Sequence, residues 1–530
     1  MEQQLNGLPI QQACESALKT QYDIEKEEKI TKDQEENARR FKFLSLGCFV
    51  YALFYTFCLY RNQSGITYPF FVGGTLYFFW YYSKKCGATS AKDKKFLMIA
   101  ILAAGILNFT TDSGILIFFN TVLVIVLFGV MIIESYHEST AWKIGMWWKA
   151  LMHLLFGSVT QIYTPFEDGY WSWRFSDFRN KKGLITDEKK KLIMYGVIGI
   201  CLSIPFLFVI LILLGSADAL FYDMVCNLWD ALDSWSLPQF LSEGELGLKF
   251  LMIICAFIGS YAVFAYSGKR SYIQEAVKTK ATQWEPLIAI AFLSMITVVY
   301  VLFSGIQIFG LFLGWMELPG GWSYARYARQ GFFQLLLVCL FNVGLVLFCT
   351  GYFRKSKVLQ ILLTVISGCT YIMIASSAYR MILYISKYHL TFLRVFVLWA
   401  LLMIAIVLGA VIVYIWNSEF GLFRFVLISV SVGYLCFSLV HPDYWIAKYN
   451  IYQYEQGAEM DLYYLTIDLS ADASLPLYEL SVSDTEKASQ SRVRVTMQNY
   501  QEALSDKVED MNIRSWNVSR AIAKKIWDIR

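Results

Sequence analysis

Arg394-Val-Phe-Val-Leu-Trp-Ala-Leu-Leu-Met-Ile-Ala-Ile-Val-Leu-Gly-Ala-Val-Ile-Val-Tyr-Ile-Trp416 is a single charge followed by 22 residues that carry none. As a helix this stretch rises about 34 Å, at roughly 1.5 Å per residue. That is enough to cross the hydrocarbon core of a bilayer, about 30 Å thick, and longer than the apolar face of an ordinary core helix. The segment therefore reads as a membrane span.

Runs of the same kind lie on both sides of it, at 43–60, 66–82, 96–110, 114–134, 192–215, 249–267, 285–312, 331–352, 358–379 and 423–440. The 96–110 run is short for a full crossing. Pro205 falls inside the 192–215 run, where it removes a backbone donor and predicts a kink. Apolar residues make up 57% of the chain and charged residues 17%. A soluble domain sits nearer one half and one quarter, so the balance fits a membrane protein. The fold class expected is all-α: a polytopic transmembrane helix bundle of ten or eleven spans, with a charged N-terminal arm and a small helical C-terminal soluble tail.

Four segments follow. Residues 1–42 form a charged arm, with Glu25, Glu27, Glu28, Glu35 and Glu36 alternating with Lys26, Lys29, Lys32, Arg39 and Arg40. It has too few apolar side chains to bury a core. It also lacks an early apolar run, so the first span is expected to act as an uncleaved anchor. Residues 43–191 form an N-terminal membrane segment. Within it, Trp142, Trp147 and Trp148 mix with Lys143 and Lys149 in a stretch suited to the bilayer interface. The 161–191 stretch reads as an aromatic-basic loop. Residues 192–440 form a C-terminal membrane segment, and 441–530 the soluble tail.

Basic residues favour the cytoplasmic loops of membrane proteins. With eleven spans and a cytoplasmic N-terminus, Lys84, Lys85, Lys92, Lys94, Lys95, the bases from Lys143 to Lys191, Lys269, Arg270, Arg354, Lys355 and Lys357 all fall inside. Only scattered ones, such as Arg61, Arg326, Arg380 and Arg394, fall outside. This predicts a multi-pass membrane protein with its N-terminus cytoplasmic and its C-terminal tail extracytoplasmic. In the tail, Pro442 suits a first helical turn. Trp445, Tyr449 and Tyr452 repeat on one face, Asp461 and Asp472 read as helix N-caps, and Val518, Ile522, Ile526 and Ile529 form a second stripe.

Several local patterns occur in order from about residue 190 to the end. They are Gly215-Ser-Ala-Asp-Ala-Leu-Phe221, Tyr324-Ala-Arg-Tyr-Ala-Arg-Gln-Gly-Phe-Phe-Gln334 followed by Asn342, Arg380-Met-Ile-Leu-Tyr384 with Leu390-Thr-Phe-Leu-Arg394, His441-Pro-Asp-Tyr-Trp-Ile-Ala-Lys-Tyr-Asn450, Leu469-Ser-Ala-Asp-Ala473 and Arg514-Ser-Trp-Asn-Val-Ser-Arg520. Together they resemble the bacterial membrane family known as domain of unknown function 4173. His441 departs from that pattern, where Asn is common. The resemblance implies a polytopic bacterial membrane protein and no reaction.

Charges at membrane depth are costly and mark sites or partners. The expected ligand-binding set gathers at one level, on the outer side: Asp218, Asp223, Glu317, Arg326, Arg329, Gln334, Asn342, Arg380 and Arg394. Arginines there would grip a carboxylate or phosphate. The blander reading is interhelical ion pairs and hydrogen bonds. Eleven cysteines form no Cys-x-x-Cys pair, and the histidines (His137, His153, His389 and His441) form no metal motif. No nucleophile elbow or phosphate loop occurs, so no catalytic residue, metal or cofactor is expected. The glycosylation-like sequences at Asn62, Asn108 and Asn517 read as chance.

Three functions fit in order: a non-catalytic sensor, regulatory or accessory protein; a transporter for a polar or anionic solute; and a membrane enzyme acting on lipid or cell-wall precursors, using Asp218 or Asp223 with Arg326 or Arg329. Membrane lipids are expected partners, with a protein partner docking through the 161–191 loop or the 441–530 tail. Nucleic acid is not expected.

Overall fold

A computed structural model describes residues 8–85, 94–137, 142–179, 245–268, 284–312, 332–459, 461–483, 491–509 and 511–528, with the single positions Ala88 and Met224. The helices in chain order are α1 (Leu8–Leu59), α2 (Thr67–Lys85), α3 (Lys94–Thr110), α4 (Gly114–Tyr136), α5 (Ile144–Val159), α6 (Thr164–Arg179), α7 (Glu245–Gly268) and α8 (Pro286–Ile306). The last continues as a π-helical turn, Gln307–Phe312. Then come α9 (Phe332–Tyr352), α10 (Lys357–Tyr388), α11 (Phe392–Trp416), α12 (Leu422–Leu439), α13 (Pro442–Glu455), α14 (Ser474–Val482), α15 (Ser491–Glu509) and α16 (Val518–Ile526). A π turn (Tyr464–Asp468) and a short 3₁₀ turn (Ala471–Ala473) precede α14. Among the described residues there is no strand, only one isolated bridge between Trp284 and Phe353.

Eight of these helices are long and apolar enough to cross a membrane: the Lys32–Leu59 part of α1, then α4, α7, α8, α9, α10, α11 and α12. Two further expected spans are helical but fall short. α3 has 17 residues, and α2 ends in Ser83, Lys84 and Lys85 after a run rich in Tyr and Trp. The expected 192–215 span, with Pro205, lies outside the described residues.

The described residues divide into two compact units that interleave along the chain. One draws on Met1–Tyr60, Trp80–Cys86 and Leu154–Lys269, the other on Arg61–Phe79, Gly87–His153 and Arg270–Arg530. In the first, α1 packs on α6 and α7. The charged arm and first span are one continuous 52-residue helix. Gly47 lets α1 approach closely, since a Cβ there would overlap the Tyr82 ring. The expected loop at 161–191 is corrected in part: Thr164–Arg179 is helix. Pro165 and Glu167 sit in its first turn, where a fixed φ and a negative charge favour helix initiation. Gly169, which reads as a loop residue, faces the Phe41 ring, where a Cβ would come within 3.2 Å of a ring carbon.

In the second unit α8, α9, α10 and α11 bury two apolar clusters, around Leu363, Ile366 and Val411 and around Met373, Leu401 and Leu408. The tail sits at one end of these helices. Leu390 N–H donates to Asn450 Oδ1 at 2.9 Å, and Ile66 N–H donates to the Trp516 carbonyl at 2.8 Å. The segments at 61–66, 111–113 and 389–391 therefore share an end with the tail. The tail's core of Ile446, Leu465, Leu477, Met497, Leu504 and Trp527 is continuous with Leu116 of α4 and Phe392 of α11. Its two expected stripes are rotated. In α13, Trp445 and Tyr452 are exposed while Ile446, Ala447 and Ile451 are buried. In α16, Ile522 is exposed while Ser519 and Ala523 face inward. Aromatic spacing misleads here because α13 leaves a membrane helix directly, and rings with polar tips favour that level.

Candidate functional site: a buried carboxylate joint beneath the tail

The Thr111-Asp112-Ser113 turn between α3 and α4 meets the tail in a joint made of carboxylates. Asp472 leads it. Its Oδ2 accepts from Thr111 Oγ1 at 2.5 Å and lies 3.1 Å from His441 Nδ1. Its Oδ1 accepts from the Asp112 backbone N–H at 3.0 Å. Asp112 in turn accepts from Arg520 Nε at 2.6 Å, and its other oxygen is 3.6 Å from Lys507 Nζ. Asp443, 2% exposed, accepts from Ser470 Oγ at 2.6 Å and from Ser470 N–H at 3.3 Å. Asn517 stitches the rim: its Nδ2 donates to the carbonyls of Ser64 at 2.8 Å and Thr111 at 2.9 Å, while its Oδ1 caps α16.

Local sequence explains each position. Asp472 was expected as an N-cap; instead Ser470 is the cap, accepting from Asp472 N–H, and the Asp472 carboxylate is left to face the 111–113 turn. His441 sits at φ 50°, the left-handed region, just before Pro442. Asn tolerates that conformation better than most residues. The three asparagines in glycosylation-like sequences are all buried and structural, Asn62 donating to Thr67 Oγ1 at 2.7 Å.

Burial pushes the Asp443 carboxyl up to about 6, the hydrogen bonds from Ser470 pull it down, and the neighbouring Asp472 charge adds to the rise. Burial also pushes Asp472 up, but hydrogen bonds from His441, Ser519 and Thr111 outweigh it and hold the carboxyl below its ordinary value. The hydrogen bond to Asp472 lifts the His441 imidazole above its ordinary value, against the effect of burial. Such opposed shifts within one small joint make its charge state responsive to pH. Among the described residues no group of three or more His, Cys, Asp or Glu side chains is arranged to hold a metal ion. Here the carboxylate oxygens are already taken by N–H and O–H donors.

The sequence-expected set is placed differently. Asp218, Asp223, Glu317, Arg326 and Arg329 lie outside the described residues. Gln334 is exposed, whereas Asn342 is fully buried, so the two do not share a face. Asn342 Oδ1 accepts from Tyr300 Oη at 2.8 Å and its Nδ2 donates to Thr370 Oγ1 at 2.9 Å. Arg380, 7% exposed, donates to Gln307 Oε1 at 3.2 Å, which also accepts from Ser376 Oγ at 2.6 Å. Arg394 instead caps the end of α10, donating to the carbonyls of Tyr388 and His389 and lying 4.4 Å over the Tyr384 ring. The structure thus does not bring Arg394 onto the Arg380 network. Asn342→Ala should cost only about 1 kcal/mol, as interhelical hydrogen bonds in membranes do. Thermal unfolding in detergent checks this, and a loss several times larger would mean that Asn342 does more than join helices.

Eight helices long and apolar enough to cross a membrane, with no strand among the described residues, define the class: an all-α polytopic bundle. A family model described as "Domain of unknown function (DUF4153)" matches residues 97–480. The chain belongs to that family; the match does not carry the name of domain of unknown function 4173 that the motifs resemble. No curated protein and no solved structure matches the chain.

Sequence reasoning missed Asp112, Asp443, Arg520 and Lys507 as a group. One signal was present. Ser-Ala-Asp-Ala stands twice, at 216–219 and 470–473, and the second copy carries Asp472.

Proposed function

We propose that this protein is a non-catalytic sensor or regulator of a bacterial plasma membrane, whose extracytoplasmic tail is held by a protonation-sensitive latch. The observation that carries this reading is the His441–Asp472 contact at 3.1 Å, inside a joint that also buries Asp443. A partner protein docks on the tail when the latch loosens.

The direction follows from the shifts. His441, with its pKa raised, contributes stability that is complete below about 6.5, its ordinary value, and is lost as pH rises through its folded value. Asp443, raised to about 6, favours the protonated folded state and its advantage fades between its ordinary value and about 6. Asp472, lowered, contributes above its ordinary value and is lost only in strong acid. The latch is therefore tightest in mild acid and loosens toward alkaline pH. Spin labels at the exposed positions Ile115 and Ile522 should report one narrow distance at about pH 5.5 and a broader, longer one at about pH 8.5. His441→Gln should abolish the difference. Identical distributions at both pH values would end the proposal. Labelling of a cysteine at Ser483 on intact cells tests the side of the membrane; protection from an impermeant reagent would place the tail in the cytoplasm.

A second reading has its own support. Gln307 stands on a π turn, a geometry frequent at functional sites, and it gathers Ser376 and Arg380 inside the helix bundle. A transporter for a polar or anionic solute would use such a network. Uptake assays with Arg380→Gln separate this reading from the first, which predicts no solute flux.

A further inference from the structure

The tail contains a half-open cavity of about 520 Å³ between the π turn and α15. Its volume is within the range of small-molecule sites, roughly 300–1,000 Å³. Leu462 and Leu469 are buried in its floor, and Ile467, 62% exposed, stands at its mouth. Along α15 it is lined from Thr496 through Ala503 to Lys507. Those twelve residues of helix span roughly 16 Å from first to last, so the cavity is a trough rather than a compact hole. Lys507 is the charged group among its lining residues, and it stands at one end.

Lys507 is not consumed by the joint beside it. Its Nζ is 3.6 Å from Asp112 Oδ2, a loose contact with a half-exposed side chain, while Arg520 already holds the other Asp112 oxygen at 2.6 Å. Leu462, Ile467, Leu469, Ala471, Ala503 and Leu504 give the trough an apolar half, with hydroxyl and amide groups of Thr466, Thr496 and Asn499 beside it and one cation at its end, a lining complementary to a molecule with one extended apolar chain and one anionic head. The π turn on the opposite wall adds a second mark of a functional site, because such turns cost helix regularity and recur where ligands bind.

We infer that this trough binds a single-chain amphiphile bearing one carboxylate, its head on Lys507 and its chain over Leu462 and Leu469. The site does not depend on the latch reading. Binding would, however, draw the Lys507 ammonium toward the ligand and away from Asp112, which gives a route from ligand to joint.

The test uses the full chain in lipid nanodiscs at a single pH and a dodecanoate analogue carrying a diazirine. Photolabelled peptides should map to 462–469 and 496–507. Lys507→Gln should reduce that labelling at least about tenfold, the effect of losing a charge-assisted contact worth roughly 1.4 kcal/mol or more. Lys507→Arg should restore it. Ala503→Trp, at an exposed helical position that tolerates a larger side chain, should block labelling by filling the trough. Hydrogen exchange in α15 confirms that each variant keeps its tail folded. Equal labelling by the matching diazirine alcohol, insensitivity to Lys507→Gln and Ala503→Trp, or preferential labelling by a diazirine phosphatidylglycerol would each overturn the assignment. Because pH is held constant, failure here leaves the pH response of the latch standing, and failure of that response leaves this site standing.

Discussion

Asp472→Ala is expected to release the tail from the helix bundle while leaving the membrane helices folded. The carboxylate is the acceptor for the Thr111 hydroxyl, the Asp112 amide and the His441 ring. Removing it strands a buried amide and a buried hydroxyl and takes the counter-charge from His441. Breaking one side of a buried, hydrogen-bonded charge pair costs about 3–5 kcal/mol. The tail's apolar core is modest and continues onto Leu116 and Phe392 of the bundle, so a loss of that size at its base is a large share of what fixes it. Limited proteolysis should then cut within 456–517 at least tenfold faster, with the spans protected as before. Asp472→Asn is the informative companion: it keeps the shape but turns one acceptor into a donor facing Thr111 and His441, and should lose most of the same energy. A tail as resistant in both variants as in the unsubstituted protein would mean that the apolar core alone holds it.

The membrane helices were legible in the sequence because one physical requirement, roughly 20 apolar residues in a row, is local to each of them. The runs that became α4, α8, α10, α11 and α12 needed no partner to be recognised. The joint was illegible for the opposite reason. Asp112 and Arg520 stand 408 positions apart, and Thr111 and Asp472 361 apart. Thr-Asp-Ser between two helices reads as a turn, and Asp472 ahead of Pro476 reads as a cap; each is a complete local explanation, so nothing in the neighbouring residues demands a distant contact. The intramembrane polar residues fell between these cases. Asn342 and Arg380 announce themselves by being polar in apolar runs, but their partners Tyr300, Thr370, Gln307 and Ser376 are ordinary residues in membrane helices. Rotation around a helix also defeats simple spacing. Gln334 and Asn342 are eight residues apart, which at about 100° per residue leaves them some 80° out of phase, enough for one to be exposed and the other buried.

The same blindness to distance hid Asp168, whose loss is the second large effect expected. It lies in a stretch that reads as loop, yet it is 0% exposed. Arg40 grips it with two hydrogen bonds, Nε to Oδ2 at 2.6 Å and a terminal nitrogen to Oδ1 at 2.7 Å, and Tyr261 Oη donates to Oδ2 at 2.6 Å. One carboxylate thus ties α1, α6 and α7 together. Asp168→Ala should leave the largely buried Arg40 guanidinium without its counter-ion and cost about 3–5 kcal/mol, read as loss of hydrogen-exchange protection in α6. Tyr261→Phe removes one hydrogen bond to a charged acceptor and should cost less, about 1.5–3 kcal/mol. The decisive comparison is the double variant Arg40→Leu with Asp168→Leu. If the penalty of the single variant comes from a stranded charge rather than from lost helix contacts, the double variant should be more stable than Asp168→Ala alone, because neither charge is then left buried without the other. A double variant less stable than both single ones would assign the stabilisation to the helix packing that surrounds the pair, and α6 would be held by Tyr170, Phe41 and their neighbours rather than by its carboxylate.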